Sequence, residues 1–149
     1  MKRFLKAYSF KIFMYKISVI IPVLNEEYHL KKLLRILSLQ EGIVTDVVIA
    51  DAGSKDSSIE IARKYKARGM RGGLPAVGRN NGVKVARYDR LVFLDADVEF
   101  SSDFIIKSID YMEKKHLEAA SILSGPKSNN FIDKVLFGLC NLWVLSMQK

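Results

Sequence analysis

What most constrains this chain is a recurrence: short apolar or β-branched runs, each followed by enough chain for a helix. Ile17-Ser18-Val19-Ile20-Ile21-Pro22-Val23 is a β-branched run closed by a proline. Asp46–Asp51 (DVVIAD) and Arg90–Asp95 (RLVFLD) repeat the pattern, and Ala119–Ser124 is a weaker fourth. Their starts lie 29, 44 and 29 residues apart, a spacing that suits helical crossovers and no hairpin. Runs this apolar on both faces belong in a sheet covered by helices on both sides. The gaps carry helical patterns. Leu30, Leu33, Leu34 and Leu37 fall on one face of the first, with Lys31, Lys32 and Arg35 on the other. The second is expected to be capped by Ser54 or Asp56 and to present Ile59, Ala62 and Tyr65 on one face. Residues 69–75 are glycine-rich and read as a loop, after which Pro75 suits the first turn of a helix running to about Ala86. Ser101 or Ser102 begins the last helix of the set, which carries Phe104, Ile105, Ile109 and Met112. The fold class is α/β: a three-layer, Rossmann-like sheet of mostly parallel strands with helices on both faces.

At 149 residues, with 49% hydrophobic and 27% charged side chains, the chain has material for one globular domain with a real core. Residues 17–149 read as that domain. Residues 1–16 form a basic amphipathic leader, in which Lys2, Arg3, Lys6, Lys11 and Lys16 alternate with aromatic and aliphatic residues. Such a segment suits peripheral contact with anionic lipid as well as packing on the domain. Val135–Gln148 is an uncharged run of 14 residues, shorter than a spanning helix requires, and reads as a buried or interfacial helix. The single cysteine, Cys140, excludes an internal disulfide framework. The expected location is the cytoplasm, at the cytoplasmic face of a membrane.

Polar clusters follow the first three strand-like runs: Asn25-Glu26-Glu27, Asp51-Ala52-Gly53-Ser54, and Asp95-Ala96-Asp97-Val98-Glu99. In an open parallel sheet these converge on the carboxyl edge, where nucleotides bind. Asp95 and Asp97 stand two apart, so an extended backbone points both carboxylates the same way, with Glu99 continuing the alternation. Paired carboxylates of this kind suit Mn²⁺ or Mg²⁺, hard cations that share diphosphate oxygens.

In order along the chain, Ile20-Ile21-Pro22-Val23-Leu24-Asn25-Glu26-Glu27, Asp51-Ala52-Gly53-Ser54-Lys55-Asp56, Arg79-Asn80-Asn81-Gly82 and Phe93-Leu94-Asp95-Ala96-Asp97 resemble the motifs of family 2 glycosyltransferases. The resemblance covers about Ile17 to Ser124 and leans toward the polyprenyl- and dolichol-phosphate sugar transferase branch. It implies the GT-A nucleotide-sugar-binding fold, inversion at the anomeric carbon, and a nucleoside-diphosphate sugar as donor. By the same resemblance Pro22, Leu24 and Glu26 line the nucleoside pocket, and Asp51 hydrogen-bonds the base. Arg79 sits near the base or phosphates, and Asp95 and Ala96 face the ribose or donor sugar. Asp97 binds the metal that bridges the diphosphate, with Glu99 as a further oxygen ligand. Leu24 stands where many relatives carry an aromatic residue, and Ala52 replaces a frequent second aspartate. No general base is identified: beyond Glu118 the only acidic residue is Asp133, which reads as first-turn charge on a helix capped by Asn130. The chain is therefore expected to hold only the donor half, with the acceptor unidentified and a lipid-linked molecule the candidate.

A net charge of +8 also invites nucleic acid, but an acidic cluster at the ligand edge would repel a phosphate backbone, and none is expected as a partner. Of the nine basic residues from Arg63 to Arg90, Arg71 and Arg79 are the better candidates for ligand contact, because Gly72, Gly73 and Gly78 would let backbone approach a ligand. Those glycines spell neither a dinucleotide fingerprint nor a Walker loop. His29 and His116 read as surface or helix-dipole residues, and Cys140 and Trp143 as packing. The rival reading is a non-catalytic nucleotide-sugar-binding module that needs another chain for its acceptor site.

Overall fold

The structure, a computed structural model, describes residues 14–121 and Gly125. The chain divides into two compact units, Met1–Asp110 and Tyr111–Lys149. The leader residues 1–13, the end of the weak fourth run, the apolar run 135–148, Asn130, Asp133, Cys140 and Trp143 lie outside the described residues.

The elements run β1 (Tyr15–Val23), α1 (Glu27–Ser38), β2 (Ile43–Asp51), α2 (Ser58–Lys64), β3 (Arg68–Arg71), α3 (Pro75–Val85), β4 (Leu91–Phe93) and α4 (Phe104–Lys114). The four strands form one sheet in the order β3-β2-β1-β4, and every pairing is parallel. The chain winds outward from β1 to β2 to β3, then crosses to the far side of β1. That reversal makes the crevice between β1 and β4 the topological switch point.

Strand periodicity assigns the layers. On one face Ile17, Val19, Ile21 and Val23 are buried with Leu30, Leu33, Leu34 and Leu37 of α1, Ala62 of α2, and Ile105 and Ile109 of α4. Each of those leucines contributes about 1.5–3 kcal/mol by leaving water, and Lys31, Lys32 and Arg35 stay exposed as the pattern predicts. On the other face α3 lies against β1 and β2 through Gly78 and Gly82. A Cβ on Gly82 would stand 2.4 Å from Ile20 Cγ2, and one on Gly78 would stand 3.2 Å from Ala50 Cβ. The close helix-to-sheet approach is what these glycines serve, so Gly78 is a packing residue and not the ligand-approach position its sequence context suggested. Gly72 is likewise occupied: its amide donates to the Asp51 carbonyl at 2.6 Å, and a Cβ there would meet Ala50 O at 2.4 Å.

Three expectations need correction. The glycine-rich segment contains a strand, β3, paired to β2 from Val48↔Arg68 to Asp51↔Arg71; backbone pairing at a sheet edge does not require an apolar run. The run 90–95, the clearest strand by composition, pairs over only Leu91–Phe93, and Phe93 is 45% exposed. Its pairing stops for a definable reason. Arg90 O accepts from Ser18 N–H at 2.9 Å and Leu94 N–H reaches Ile20 O at 3.2 Å, so the next bond would need an N–H from Pro22, which has none. Finally, residues 119–121, the described part of the weak fourth run, are not in a strand and are exposed.

Within the second unit, His116 adopts φ 54° and the Leu117 amide closes back on Met112 O at 2.9 Å. This is a left-handed helix stop that glycine more often supplies. Among the described residues, no helix is long and apolar enough to cross a membrane.

Candidate functional site

All three polar clusters stand at the carboxyl edge of the sheet, as the parallel order requires. The first, Asn25-Glu26-Glu27, is largely engaged with residues 54–58 at and beyond the end of the second. Asn25, at φ 55°, donates its amide to Ser54 Oγ at 2.9 Å and accepts the Lys55 amide on Oδ1 at 2.8 Å. The Glu26 amide donates to Ser58 Oγ at 3.0 Å, and that of Glu27 to Asp56 Oδ2 at 3.0 Å. Glu27 Oε2 in turn accepts the Ser57 amide at 3.0 Å. The first amides of a helix lack partners within it, and here α1 and α2 are capped from one another's loops. Ser57 is the N-cap position of α2 but makes no side-chain cap bond. Asp56, one of the two expected caps, accepts the Ser58 amide at 3.0 Å, whereas Ser54 turns to Asn25. Hydrogen bonds led by the Ser58 hydroxyl hold the Asp56 carboxyl below its usual range. The signal for this weld was present in the density of short oxygen-bearing side chains from Ser54 to Ser58, but nothing local named their partners.

Asp51 ends β2, with its carboxylate accepting the Gly53 amide at 3.0 Å and the Ser54 amide at 3.1 Å. It shapes its own turn. The same residue lines a cleft of about 650 Å³ that runs past Gly53 and Ile59 to Arg63, Met70 and Arg71. Arg63 and Arg71 both front this cleft.

The third cluster is where the backbone departs most from expectation. Asp95 to Val98 is a turn, closed by the Val98 amide to Asp95 O at 3.4 Å, not an extended strand. Strand alternation therefore fails as the reason for aligning Asp95, Asp97 and Glu99. The strand has already ended at Phe93, and the chain turns in the crevice that Pro22 leaves open beside β1. Ala96 is buried and anchors the turn, while Asp95, Asp97 and Glu99 are exposed. Arg79, in the first half of α3, hydrogen-bonds Asp95 Oδ1 through Nη2. Glu99 Oε1 lies 3.8 Å from Lys32 Nζ.

Of the other expected residues, Pro22 is half-buried at the end of β1 and Leu24 is 53% exposed. Glu26 begins α1 with Oε2 at 2.8 Å from His29 Nδ1. Among the described residues, no group of three or more His, Cys, Asp or Glu side chains is gathered tightly enough to cage a metal. A dication that takes most of its shell from phosphate and water needs only one or two carboxylates. The exposed Asp95–Asp97 turn offers these, so the donor set fits such an ion.

Comparison with known proteins agrees with this geometry. The family model described as Glycosyl transferase family 2 matches residues 18–142. An uncharacterized glycosyltransferase of Haemophilus influenzae is 32% identical over 109 residues, covering 68% of this chain and 44% of that protein. Among solved structures, S. aureus TarS 1-349 in complex with UDP superposes with a TM-score of 0.59 at 22% identity, covering 74% of this chain and 38% of that one. Glucosyl-3-phosphoglycerate synthase from Mycobacterium tuberculosis, in complex with Mn²⁺, UDP and glucosyl-3-phosphoglycerate, gives 0.52 at 24% identity, covering 73% of this chain and 42% of that one. At these identities the two superpositions establish the fold. The chain spans less than half the length of each of the three.

Proposed function

The chain belongs to glycosyl transferase family 2, and from that premise we propose that it forms the donor half of an inverting glycosyltransferase. The observation that carries the reading is the Asp95–Asp97 turn. It is a pair of exposed carboxylates beside a guanidinium, held on a buried alanine in the crevice at the switch point of a parallel sheet. Crevices of this kind receive nucleotides, and solved relatives of the same fold carry UDP and Mn²⁺.

The residues divide the work. Pro22, Leu24 and Glu26 frame the nucleoside from the β1 side, and Asp51 meets the base from the end of β2. Asp95 and Ala96 face the ribose or donor sugar. Arg79, already within reach of Asp95, supplies positive charge toward the diphosphate. Asp97, assisted by Glu99, would hold Mn²⁺ or Mg²⁺, which when bound neutralises charge building on the departing nucleoside diphosphate. The transfer also needs a base within hydrogen-bond reach of the acceptor hydroxyl, and no residue of this chain is assigned that role. The acceptor is proposed to be lipid-linked and the site to lie at the cytoplasmic face of a membrane. The motive is the basic, aromatic-rich segment 1–16.

Calorimetric titration of UDP and GDP, with and without Mn²⁺, tests the reading. Binding that requires the metal and weakens at least about 100-fold in Asp97→Ala is expected, comparable to the loss of a metal-site group. Absence of binding to either nucleotide with Mn²⁺ present would overturn it.

A further inference from the structure

We propose that His29 is a positioning residue for the donor: it fixes the Glu26 carboxylate in the orientation the nucleoside meets. The inference rests on the donor-site reading above and adds to it a residue that no motif names. Three observations carry it. Glu26 has almost no backbone freedom, because its amide is held by Ser58 Oγ at 3.0 Å and its carbonyl accepts the Leu30 amide at 2.8 Å. Ser58 itself is fully buried, so the anchor does not move. What remains free is the side chain, and His29 Nδ1 stands 2.8 Å from Oε2, one turn along α1. A carboxylate can only accept, so Nδ1 carries the proton and the imidazole donates. That contact claims Oε2 and leaves Oε1 for a ligand hydroxyl or base N–H.

The imidazole is itself braced. The Tyr28 ring meets it edge-on, with centroids 5.4 Å apart at 77°, and Lys32 Nζ lies 4.3 Å from the Tyr28 ring centre on the way to Glu99. Lys32 is held above its usual range by the Tyr28 hydroxyl first and the Glu99 charge last. A chain of contacts thus runs along the exposed side of α1 between the β1–α1 loop and the Asp95–Glu99 segment. A solvated surface histidine needs none of these partners. Pre-orienting a long carboxylate removes rotamer freedom that ligand binding would otherwise have to remove.

The test is UDP and GDP affinity in Mn²⁺ for wild type, His29→Ala, His29→Asn, Glu26→Ala and the double variant Glu26→Ala/His29→Ala, with thermal midpoints measured in parallel. His29 is 43% exposed, so truncation leaves no cavity and the midpoints should stay together. His29→Ala is expected to weaken nucleotide binding about tenfold, the size of one lost charge-assisted hydrogen bond. Asparagine, whose amide can donate from the Nδ1 position, should restore affinity to within about threefold. In the Glu26→Ala background, His29→Ala should cost nothing further, as coupled residues require. Equal losses from His29→Ala with and without Glu26, or no loss at all, overturn the inference while leaving the donor reading intact. A wild type that binds neither nucleotide removes both.

Discussion

Two aspartate–arginine pairs stand at opposite edges of the same sheet, and they do opposite things. At the amino edge, Asp46 of β2 is buried, and Arg68 reaches it twice, with Nε at 2.8 Å from Oδ1 and Nη2 at 2.6 Å from Oδ2. The Arg87 amide donates to Asp46 at 3.1 Å and the Ser18 hydroxyl at 3.2 Å. Ser18 Oγ in turn receives the Arg87 and Tyr88 amides, and Arg68 Nη2 also caps Val85 O at 2.7 Å. Three strands and the α3–β4 crossover are thereby fastened through one carboxylate. At the carboxyl edge, Asp95 is 60% exposed and takes one hydrogen bond from Arg79. The chemistry is the same; what differs is how many other donors converge and how much water is excluded. Where water is excluded and four hydrogen bonds converge on one carboxylate, the pair cannot be opened without unfolding something. Where it is solvated, the partners can be exchanged for a ligand at little cost.

Breaking the amino-edge pair should give the largest effect on stability. Asp46→Ala takes the carboxylate from the Arg68 guanidinium and one of two acceptors from the Arg87 amide, so a loss of about 3–5 kcal/mol in urea unfolding is expected. A loss below about 1 kcal/mol would mean the network is not what holds the crossover. Next comes the α3 face: Gly82→Ala, by pushing a methyl into Ile20, should cost about 1–3 kcal/mol as overpacking. It should also disturb nucleotide binding, since Arg79 rides on the same helix.

The contrast is sharpened by pH. Burial pushes the Asp46 carboxyl up, but the hydrogen bonds from Arg68, the Arg87 amide and the Ser18 hydroxyl, with the Arg68 charge, outweigh it and hold the group below its usual range. A depressed folded-state value stabilises above the unfolded carboxylate value of about 4 and is lost as pH falls from there toward the lowered value. Acid titration of stability should therefore show a limb below about pH 4 that flattens in Asp46→Asn. Smallest of all, Asp95→Ala should change unfolding free energy by no more than about 1 kcal/mol, as an exposed pair does. Nucleotide binding should nonetheless suffer. A variant that is as unstable as Asp46→Ala would erase the distinction between the two edges.

The elements with the strongest periodicity are legible in the sequence alone. Leu30, Leu33, Leu34 and Leu37 define a helix face in one dimension, and β1 needs only its own β-branched run. Pro75 marks where α3 starts. The carboxyl-edge grouping of Asn25, Asp51 and Asp95 followed from strand order alone, since parallel strands put their ends together. Each of these rests on neighbours close in sequence or on a general rule of topology.

What the sequence left undecided depends on partners far along the chain. Arg68-Gly69-Met70-Arg71 becomes a strand because β2 offers it an edge. The pairing of the 90–95 run is cut short because Pro22, about 70 positions earlier, has no amide to give. The turn at Asp95–Val98, the exchange of caps between α1 and α2, and the burial of Asp46 are likewise contacts between separate elements. A side chain carries its charge, length and hydrogen-bonding capacity in its identity, so the sequence by itself determined which groups this protein owns and the α/β order that carries them. Distance and solvent exposure belong to pairs brought together by folding. They alone decided that Asp46 fastens the sheet while Asp95 stays exposed to solvent.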